Sequence, residues 1–210
     1  MRGRFQESSL HDERLDIVVQ HLLETNACRV LDLGCGGGEL LQRLALQDQF
    51  ERIVGIDIDE VSLTQARRAL GLNLLDDCGR IQVRYGSFEE PDSQLNGFDA
   101  ATLVETIEHI DPGRLSRVET AVFGDMRPGV IFVTTPNVEY NVLHGMPPGE
   151  KRHPDHRFEW SRARFRQWAR GVAERNSYRV SFVDIGQLDP QHGSSTQMAR
   201  FIAISFSENN

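Results

Sequence analysis

The sequence predicts a three-layer α/β fold in which a mostly parallel, seven-stranded sheet lies between helices on both faces. Apolar runs of strand length alternate with segments of helical period along the 210 residues, which is the pattern of repeated βαβ units. The first apolar run ends in the glycine-rich turn 34–38, and a helical segment follows it, as in nucleotide-binding βαβ units. These observations favour a single nucleotide-binding domain.

Each strand and helix is predicted from a local pattern of apolar and turn-forming residues. Strands are predicted where β-branched and leucine residues run together or alternate, in 28–33, 53–58, 81–85, 98–104, 130–134, 179–185 and 198–205. Helices are predicted where apolar residues recur with helical period or follow a capping residue, in 10–24, 39–46, 60–70, 112–123 and 162–173. Asp111 and Ser161 are typical N-caps, and Gly71 is a typical helix stop.

The domain organisation follows from the segments that lack such patterns. Residues 1–9 are polar, so we expect a flexible N-terminus, a single domain at 10–206 and a short tail at 207–210. Residues 136–160 are rich in Pro, Gly and His and show no period. A loop of this length inside a compact domain is uncommon and usually functional, so it is a candidate binding loop.

Composition excludes several classes of protein. No apolar run approaches the ~20 residues of a membrane span, and the N-terminus lacks the apolar stretch of a signal peptide. The three cysteines, Cys28, Cys35 and Cys78, have no metal-site spacing, and their odd number argues against a disulfide framework. We therefore expect a cytoplasmic protein with no membrane partner.

The charge is unevenly distributed along the chain. The net charge of −8 would usually argue against a nucleic-acid partner, but residues 151–180 hold nine Lys or Arg against three Asp or Glu. A basic surface on an acidic body suits a protein that binds a short or terminal piece of polyanion. The alternative is an ordinary solvated helix face.

Three potential metal ligands follow the strand 98–104. If the chain turns helical there, Glu105, Glu108 and His109 fall at positions i, i+3 and i+4, on one face. Two carboxylates and an imidazole suit a divalent cation. The same residues could instead serve as caps or salt-bridge partners, so a further ligand elsewhere must decide between the two interpretations.

The first strand, glycine turn and second strand form a candidate cofactor site. Asp32 precedes the turn, Gly34 and Gly36 allow close approach of a ligand, and Asp57 can accept both hydroxyls of a ribose. A carboxylate at Asp32 suits a ligand that carries ammonium and sulfonium charge. The stretch resembles motif I of Rossmann-like class I S-adenosylmethionine-dependent methyltransferases. That resemblance implies that Asp32, Gly34 and Gly36 border the methionine part of the cofactor and that Asp57 holds the ribose.

The turn after the third strand is a candidate for the adenine pocket. Ser87 and Phe88 stand where that family places residues around the adenine. Phe88 could equally be an ordinary core residue.

Three motifs in the second half of the chain are more specific than the glycine turn. Residues 135–141 read Thr-Pro-Asn-Val-Glu-Tyr-Asn and residues 155–160 read Asp-His-Arg-Phe-Glu-Trp, and residues 193–198 read Gly-Ser-Ser-Thr-Gln-Met. Together they resemble the Hen family of small-RNA 3′-terminal ribose 2′-O-methyltransferases, in the style of the methyltransferase module of bacterial RNA-repair members.

The resemblance implies a set of site residues and a reaction. It makes Glu105, Glu108, His109 and His156 the ligands of one divalent ion, and it puts Arg14, Asn137 and Arg152 near the RNA end. Two imidazoles favour Mn²⁺, with Mg²⁺ as the alternative. The expected reaction transfers a methyl group from S-adenosylmethionine to the 2′-hydroxyl of the 3′-terminal nucleotide.

We expect the ion to bind the free 2′- and 3′-hydroxyls of the RNA end together, which excludes DNA ends as substrates. The resemblance also implies an RNA-repair kinase, phosphatase or ligase as a partner. A small-molecule O-methyltransferase is the main alternative, although it gives no reason for the motif around His156. A non-catalytic S-adenosylmethionine-binding subunit is the third interpretation.

Overall fold

The structure is a computed structural model that describes residues 2–72 and 79–204. Cys78, the tail 207–210 and the end of the last predicted strand lie outside the described residues. All seven predicted strands are present in a single sheet, with the order β3-β2-β1-β4-β5-β7-β6. The strands are β1 (Arg29–Leu33), β2 (Arg52–Asp57), β3 (Ile81–Tyr85), β4 (Ala100–Val104), β5 (Val130–Pro136), β6 (Tyr178–Ile185) and β7 (Thr196–Ala203).

The sheet is parallel except for its last strand. β1 to β5 pair in parallel, and β7 inserts antiparallel between β5 and β6. The carboxyl ends of the parallel strands therefore meet at one edge of the sheet. Thr196, the first residue of β7, pairs with Pro136 at the end of β5, so β7 starts at the same edge. This is the edge at which open α/β sheets bind their ligands.

Five α-helices and several shorter helical turns cover the described part of the sheet. The helices are α1 (Arg2–Leu23), α2 (Glu39–Ala45), α3 (Glu60–Ala69), α4 (Leu115–Val118) and α5 (Arg162–Asn176). Turns of 3₁₀ helix occupy Ser93–Leu95, Ile107–His109, Pro112–Arg114 and Val138–His144. Within these residues, no helix has the length and apolar character that crossing a bilayer requires.

Two helices differ from the sequence prediction. α1 begins at Arg2, so residues 2–9 extend the helix, where a flexible N-terminus was expected. No proline interrupts this stretch, and apolar period alone does not detect a polar helical turn. The predicted helix 112–123 starts with a proline as expected, but it changes to a π-helix over Glu119–Met126.

The apolar core forms two layers, one on each face of the sheet. Successive residues of β5 alternate between them: Ile131 and Val133 belong to one layer, and Phe132 belongs to the other. Leu15 of α1 packs in the layer of Phe132, whereas Phe165 of α5 packs in the opposite layer. Helices therefore cover both faces, as the sequence predicts.

Candidate metal centre and cofactor site

Three metal-ligating side chains come together beyond the carboxyl end of β4. Glu108, His109 and His156 each offer one ligand atom, and these atoms all lie within 4.8 Å of one another. Glu108 and His109 belong to the 3₁₀ turn after β4, and His156 comes from the loop between β5 and α5. The structure thus brings together three of the four predicted ligands. We call these three residues the metal cluster.

Glu105, the fourth predicted ligand, lies at the end of β4 but pairs with Arg14. Its Oε2 lies 3.2 Å from Nη2 of Arg14, and its Oε1 accepts a hydrogen bond from the hydroxyl of Thr134 at 3.0 Å. The prediction that Glu105, Glu108 and His109 share one face of a helix is wrong. Glu105 has a φ of +50°, and a residue in the left-handed region cannot continue a right-handed helix.

The loop that carries His156 is fixed to the turn after β4. The backbone N–H of Arg157 donates to the carbonyl of Glu108 at 2.7 Å, and Nζ of Lys151 donates to the carbonyl of His156 at 2.8 Å. Nδ1 of His156 lies 2.6 Å from Oε1 of Glu159. Such a carboxylate contact is typical of metal-binding histidines, because it orients the ring and leaves Nε2 for the ion.

The electrostatics of the metal cluster fit a divalent cation. Glu108 is fully buried; its Oε2 accepts a hydrogen bond from the hydroxyl of Thr135, while its Oε1 is buried without a partner. Burial and the nearby charge of Glu105 raise the pKa of Glu108 well above its usual value. Burial, together with the neighbouring His156 and His153, lowers the pKa of His109. An unpartnered buried carboxylate oxygen beside two imidazoles is a donor set that a cation would complete.

His153 does not join the metal cluster. Its side chain is half exposed, and its Nδ1 accepts a hydrogen bond from the backbone N–H of Asp155 at 3.2 Å. Its ring centre lies 5.7 Å from that of His156. It is therefore a neighbour of the cluster with a polar contact of its own.

Arg152, which was expected near the RNA end, holds the loop together. Its guanidinium donates to the side chain of Asn141 at 2.6 Å, to the carbonyl and hydroxyl of Ser195 at 3.0 and 2.9 Å, and to the carbonyl of Asn137 at 2.7 Å. Four of its five N–H groups are thereby used within the protein. Its backbone N–H also donates to Glu159 at 2.7 Å. The main contribution of Arg152 is to fix Glu159 and the loop.

Asn137, like Arg152, has a structural role. It is buried, and its amide nitrogen donates to the carbonyls of His192 and Ser194 at 2.8 and 2.9 Å. Its amide oxygen accepts from the backbone N–H of Glu139 and caps the following 3₁₀ turn. Both N–H groups that could donate to RNA are thus used to join β5 to the segment before β7.

Arg14 reaches the site edge from α1. It is buried, and its Nε and Nη2 donate to the hydroxyl of Thr196 at 3.2 and 3.0 Å. Since Nη2 also pairs with Glu105, Arg14 connects α1, β7 and the end of β4. The structure therefore places Arg14 beside Glu105, the predicted ligand that lies outside the metal cluster.

Sequence reasoning missed three residues that position this site. Glu159, Asn141 and Ser195 hold His156 and Arg152 in place, and each stands inside one of the motifs that resemble the Hen family. The spacing of His156 and Glu159, three residues apart beside a second histidine, was the available signal.

Asp32 occupies the predicted place at the end of β1. It is buried, and its Oδ1 accepts a hydrogen bond from the hydroxyl of Thr102 at 2.9 Å. Burial raises the pKa of Asp32 to about 7, and the negative charges of Asp57 and Glu39 act in the same direction. A buried carboxylate with a raised pKa is suited to a cationic ligand, whose charge would favour its ionised form.

The glycine turn and Asp57 form a cradle next to Asp32. Gly34 has a φ of +82°, and a Cβ there would lie 2.5 Å from Cγ2 of Thr106, so a side chain is excluded. Gly36 also has a positive φ but faces open space, where a Cβ would meet nothing within 4 Å. Its N–H donates to Asp57 at 2.9 Å, which fixes that carboxylate at the end of β2. The glycine turn therefore leaves its backbone open to a ligand beside the carboxylates of Asp32 and Asp57.

The two predicted adenine-pocket residues lie after β3. The hydroxyl of Ser87 accepts a hydrogen bond from the backbone N–H of Glu89 at 3.2 Å. Phe88 is buried in the core layer that also contains Leu31 and Ile56. Phe88 therefore packs as a core residue, which is the second of the two interpretations that its sequence position allowed.

Comparison with known proteins identifies the family. Residues 24–174 match a family model described as a methyltransferase domain. A crystal structure of the methyltransferase domain of bacterial CtHen1 has 41% sequence identity and a TM-score of 0.82, and the match covers 92% of this chain and 99% of that one. This chain belongs to the Hen methyltransferase family. It has the class I fold that uses S-adenosylmethionine.

Other relatives of this Hen-family chain are longer than the segment that matches it. A small RNA 2′-O-methyltransferase of Xenopus tropicalis is 33% identical over 210 residues, which are 97% of this chain and 56% of the relative. The chain spans about half the length of the curated relatives it matches. A chain from the structure of a Pnkp1/Rnl/Hen1 RNA repair complex shares the fold, with a TM-score of 0.68 and 20% identity over 92% of this chain and 41% of the other.

Proposed function

We propose that this Hen-family chain methylates the 2′-hydroxyl of the 3′-terminal nucleotide of RNA, with S-adenosylmethionine as the methyl donor and a divalent ion bound at Glu108, His109, His156 and Glu105. The observation that carries the proposal is the metal cluster, in which the unpartnered oxygen of Glu108 lies with two imidazoles at the edge of a cofactor cradle. Glu105 pairs with Arg14 and lies outside the metal cluster, so its participation requires its carboxylate to move toward the other three ligands.

The residues divide the work between two substrates. Asp32 would hold the cationic amino group of the methyl donor, and Asp57 would hold its ribose. Because Gly36 has no side chain and faces open space, the methyl donor could lie close to the backbone there. A divalent ion held by the metal cluster would supply Lewis acidity that lowers the pKa of the 2′-hydroxyl of the terminal ribose. Glu159, through Nδ1 of His156, would keep the imidazole aimed at the cation.

The methyl transfer is a single displacement at the methyl carbon of the donor. The 2′-oxygen forms a bond to the sulfonium methyl carbon, the carbon–sulfur bond breaks, and the hydroxyl proton leaves to solvent or to a nearby base. Holding the two substrates in line provides much of the acceleration. Mn²⁺ is the favoured ion, because two imidazoles and carboxylates suit it better than Mg²⁺, which prefers oxygen ligands and water.

The loop argues against the main alternative. A small-molecule O-methyltransferase would explain the cradle and the turn after β4. It would not explain why Arg152, Asn141 and Glu159 cooperate to hold a second histidine beside Glu108. We also infer an RNA-repair kinase, phosphatase or ligase as the class of partner, since a similar fold occurs in the Pnkp1/Rnl/Hen1 complex.

The proposal is tested with three RNAs of the same sequence that differ only at the 3′ end. One carries free 2′- and 3′-hydroxyls, one a 3′-phosphate and one a 3′-deoxyribose. Incubation with labelled S-adenosylmethionine and Mn²⁺ should label the first alone, and the product should resist periodate oxidation because its cis-diol is gone. Equal labelling of the 3′-phosphorylated RNA would contradict recognition of both hydroxyls, and labelling of none would contradict the activity.

A further inference from the structure

Glu105 lies at the same strand end as the metal cluster but on the other side of the sheet. Its Oε1 accepts a hydrogen bond from the hydroxyl of Thr134 at 3.0 Å, whereas Oε2 of Glu108 accepts one from the hydroxyl of Thr135 at 3.0 Å. Thr134 and Thr135 are successive residues of β5, so their side chains point to opposite faces of the sheet. Thr134 pairs with Met198, which packs in the core layer under α1. The carboxylate of Glu105 is therefore held on the side of α1.

Arg14 of α1 supplies the positive charge next to Glu105. Its Nη2 lies 3.2 Å from Oε2 of Glu105, and only 9% of the Arg14 side chain and 19% of the Glu105 side chain are exposed. Charges at this depth are screened much less by salt and water than charges on the surface. Arg14 is therefore an effective partner of Glu105, although a guanidinium carries half the charge of a divalent ion.

Arg14 has a second anchor that does not depend on Glu105. Nε and Nη2 of Arg14 both donate to the hydroxyl of Thr196, at 3.2 and 3.0 Å, and Thr196 is the buried first residue of β7. The backbone of Glu105 is fixed as well, because its N–H donates to the hydroxyl of Thr134 at 3.0 Å. A change of partner at Glu105 therefore needs only a rotation of its side chain.

The charges of Glu105 and Arg14 both act on the metal cluster. Burial is the main cause of the raised pKa of Glu108, the negative charge of Glu105 adds to it, and the positive charge of Arg14 opposes it. Both charges are therefore close enough to change the preference of the cluster for a cation. An ion at the cluster would attract the carboxylate of Glu105 away from Arg14, because it carries twice the charge of a guanidinium.

We propose that Arg14 competes with the divalent ion for Glu105 and thereby sets the affinity of the metal centre. Glu105 turns from Arg14 toward the metal cluster when the ion binds, while Arg14 stays on the hydroxyl of Thr196. The inference rests on the proposed function, because it takes the metal cluster as the ion site, and it adds the residue that opposes binding there. The opposite role, in which Arg14 holds Glu105 ready for the ion, predicts the opposite effect of removing Arg14.

The experiment measures Mn²⁺ affinity by calorimetric titration, without RNA, in the parent and in Arg14→Gln. The variant should bind Mn²⁺ about 10-fold more tightly, because Glu105 loses its competing partner. A residue that positions a ligand or stabilises the site would instead lower the affinity when it is removed. Arg43→Gln is the matched control, because it also removes one arginine that pairs with a carboxylate of α1, Asp16, at 3.0 Å. Its Mn²⁺ affinity should equal that of the parent.

A double-mutant cycle separates competition for Glu105 from simple repulsion of the ion by Arg14. Glu105→Gln should bind Mn²⁺ more weakly than the parent, and adding Arg14→Gln to it should bring no further gain, because the competing ion pair is already absent. An equal gain in both backgrounds would show that Arg14 only repels the ion, and it would overturn the inference. Unchanged or weaker Mn²⁺ binding in Arg14→Gln would overturn it as well.

A measurement on the parent covers the case in which Arg14→Gln does not fold. The NMR signal of the Nε–H of Arg14, assigned by its loss in Arg14→Lys, is followed during titration with Zn²⁺, a diamagnetic ion that imidazoles bind well. It should shift in the parent and stay in place in Glu105→Gln. A signal that does not shift when the parent binds Zn²⁺ would overturn the inference alone, whereas a parent that binds neither Zn²⁺ nor Mn²⁺ would contradict the metal centre of the proposed function.

Discussion

Nδ1 of His156 lies 2.6 Å from Oε1 of Glu159, and both side chains are almost completely buried. Burial alone would raise the pKa of Glu159, but the hydrogen bonds from His156 and Asn141 and from the backbone of Arg152 lower it. The carboxylate of Glu159 is therefore ionised at neutral pH, and it accepts a hydrogen bond from the N–H at Nδ1 of His156. This contact connects the loop motif to the metal cluster, because it fixes which imidazole nitrogen remains free.

The first prediction concerns this contact. Glu159→Gln should weaken binding of Mn²⁺ about 10- to 100-fold, because the amide holds the imidazole less firmly and polarises it less. The affinity for S-adenosylmethionine should stay within experimental error. Metal affinity is measured by calorimetric titration, and Glu119→Gln, which affects a carboxylate on the π-helix, is the matched control. Parent-like Mn²⁺ affinity in Glu159→Gln would mean that the contact only stabilises the loop.

The second prediction separates the two histidines of the loop. His156→Ala should abolish methylation of the RNA end, while cofactor affinity remains close to that of the parent. His153→Ala should retain most activity, because His153 is half exposed and bonded to its own loop. Both variants are assayed with the same labelled cofactor and RNA. Parent rates in His156→Ala, or equal losses in both variants, would remove the special role of His156.

The third prediction concerns Arg152. Arg152→Lys keeps the charge but loses the forked contacts to Asn141, Ser195 and Asn137, so it should lower the free energy of unfolding by about 1–3 kcal/mol. Metal affinity should fall with it, because the backbone of the loop positions Glu159. Chemical denaturation measures the first effect. A variant of unchanged stability whose KM for RNA rises would show that Arg152 instead serves the substrate.

The fourth prediction is the pH dependence of cofactor binding. Burial raises the pKa of Asp32 to about 7 in the free protein, and a cationic cofactor would require the ionised form. Affinity for S-adenosylmethionine should therefore fall about tenfold between pH 8 and pH 6, with proton release on binding near pH 7. Calorimetry in buffers of different ionisation enthalpy detects the release. Asp32→Asn should bind more weakly at pH 8 and show a flat profile, whereas a pH-dependent profile in that variant would exclude Asp32 as the source.

The same shift in pKa has a defined effect on stability. The folded free protein holds a proton on Asp32 at pH values where the unfolded chain, with a pKa of 3.8, has released it. The contribution of Asp32 to the free energy of unfolding should therefore decrease as the pH rises from about 4 to about 7. Asp32→Asn should lack this contribution, which thermal unfolding across that range measures.

The sequence predicted the architecture because its signals are local. The five apolar runs and the glycine turn appear in the structure as the parallel strands and the cofactor cradle. The position of Asp57 followed from the same layout, since parallel strands bring their carboxyl ends to one edge. The predictions that were wrong concern features that depend on single backbone angles or on long-range contacts. A φ of +50° at Glu105 redirects the chain after β4, and no pattern of neighbouring residues specifies it.

The metal cluster contains residues that local sequence could identify and one residue that it could not. The turn residues Glu108 and His109 were candidates from the sequence alone, whereas His156 became one only through the resemblance to a family. Its position depends on the bond between the backbone of Arg157 and Glu108, 49 residues apart, which sequence spacing cannot reveal. The use of Arg152 and Asn137 as internal braces was likewise hidden, because an arginine and an asparagine in a loop also suit contacts to RNA.

The most direct measurement is the stoichiometry and affinity of Mn²⁺ binding to the protein without RNA. Titration followed by calorimetry, or by the electron paramagnetic resonance signal of free Mn²⁺, should give one site per chain, and His156→Ala and Glu108→Gln should each abolish it while His153→Ala retains it. Binding that is absent from the parent, or that persists unchanged in both His156→Ala and Glu108→Gln, would contradict a metal centre formed where the loop meets the end of β4.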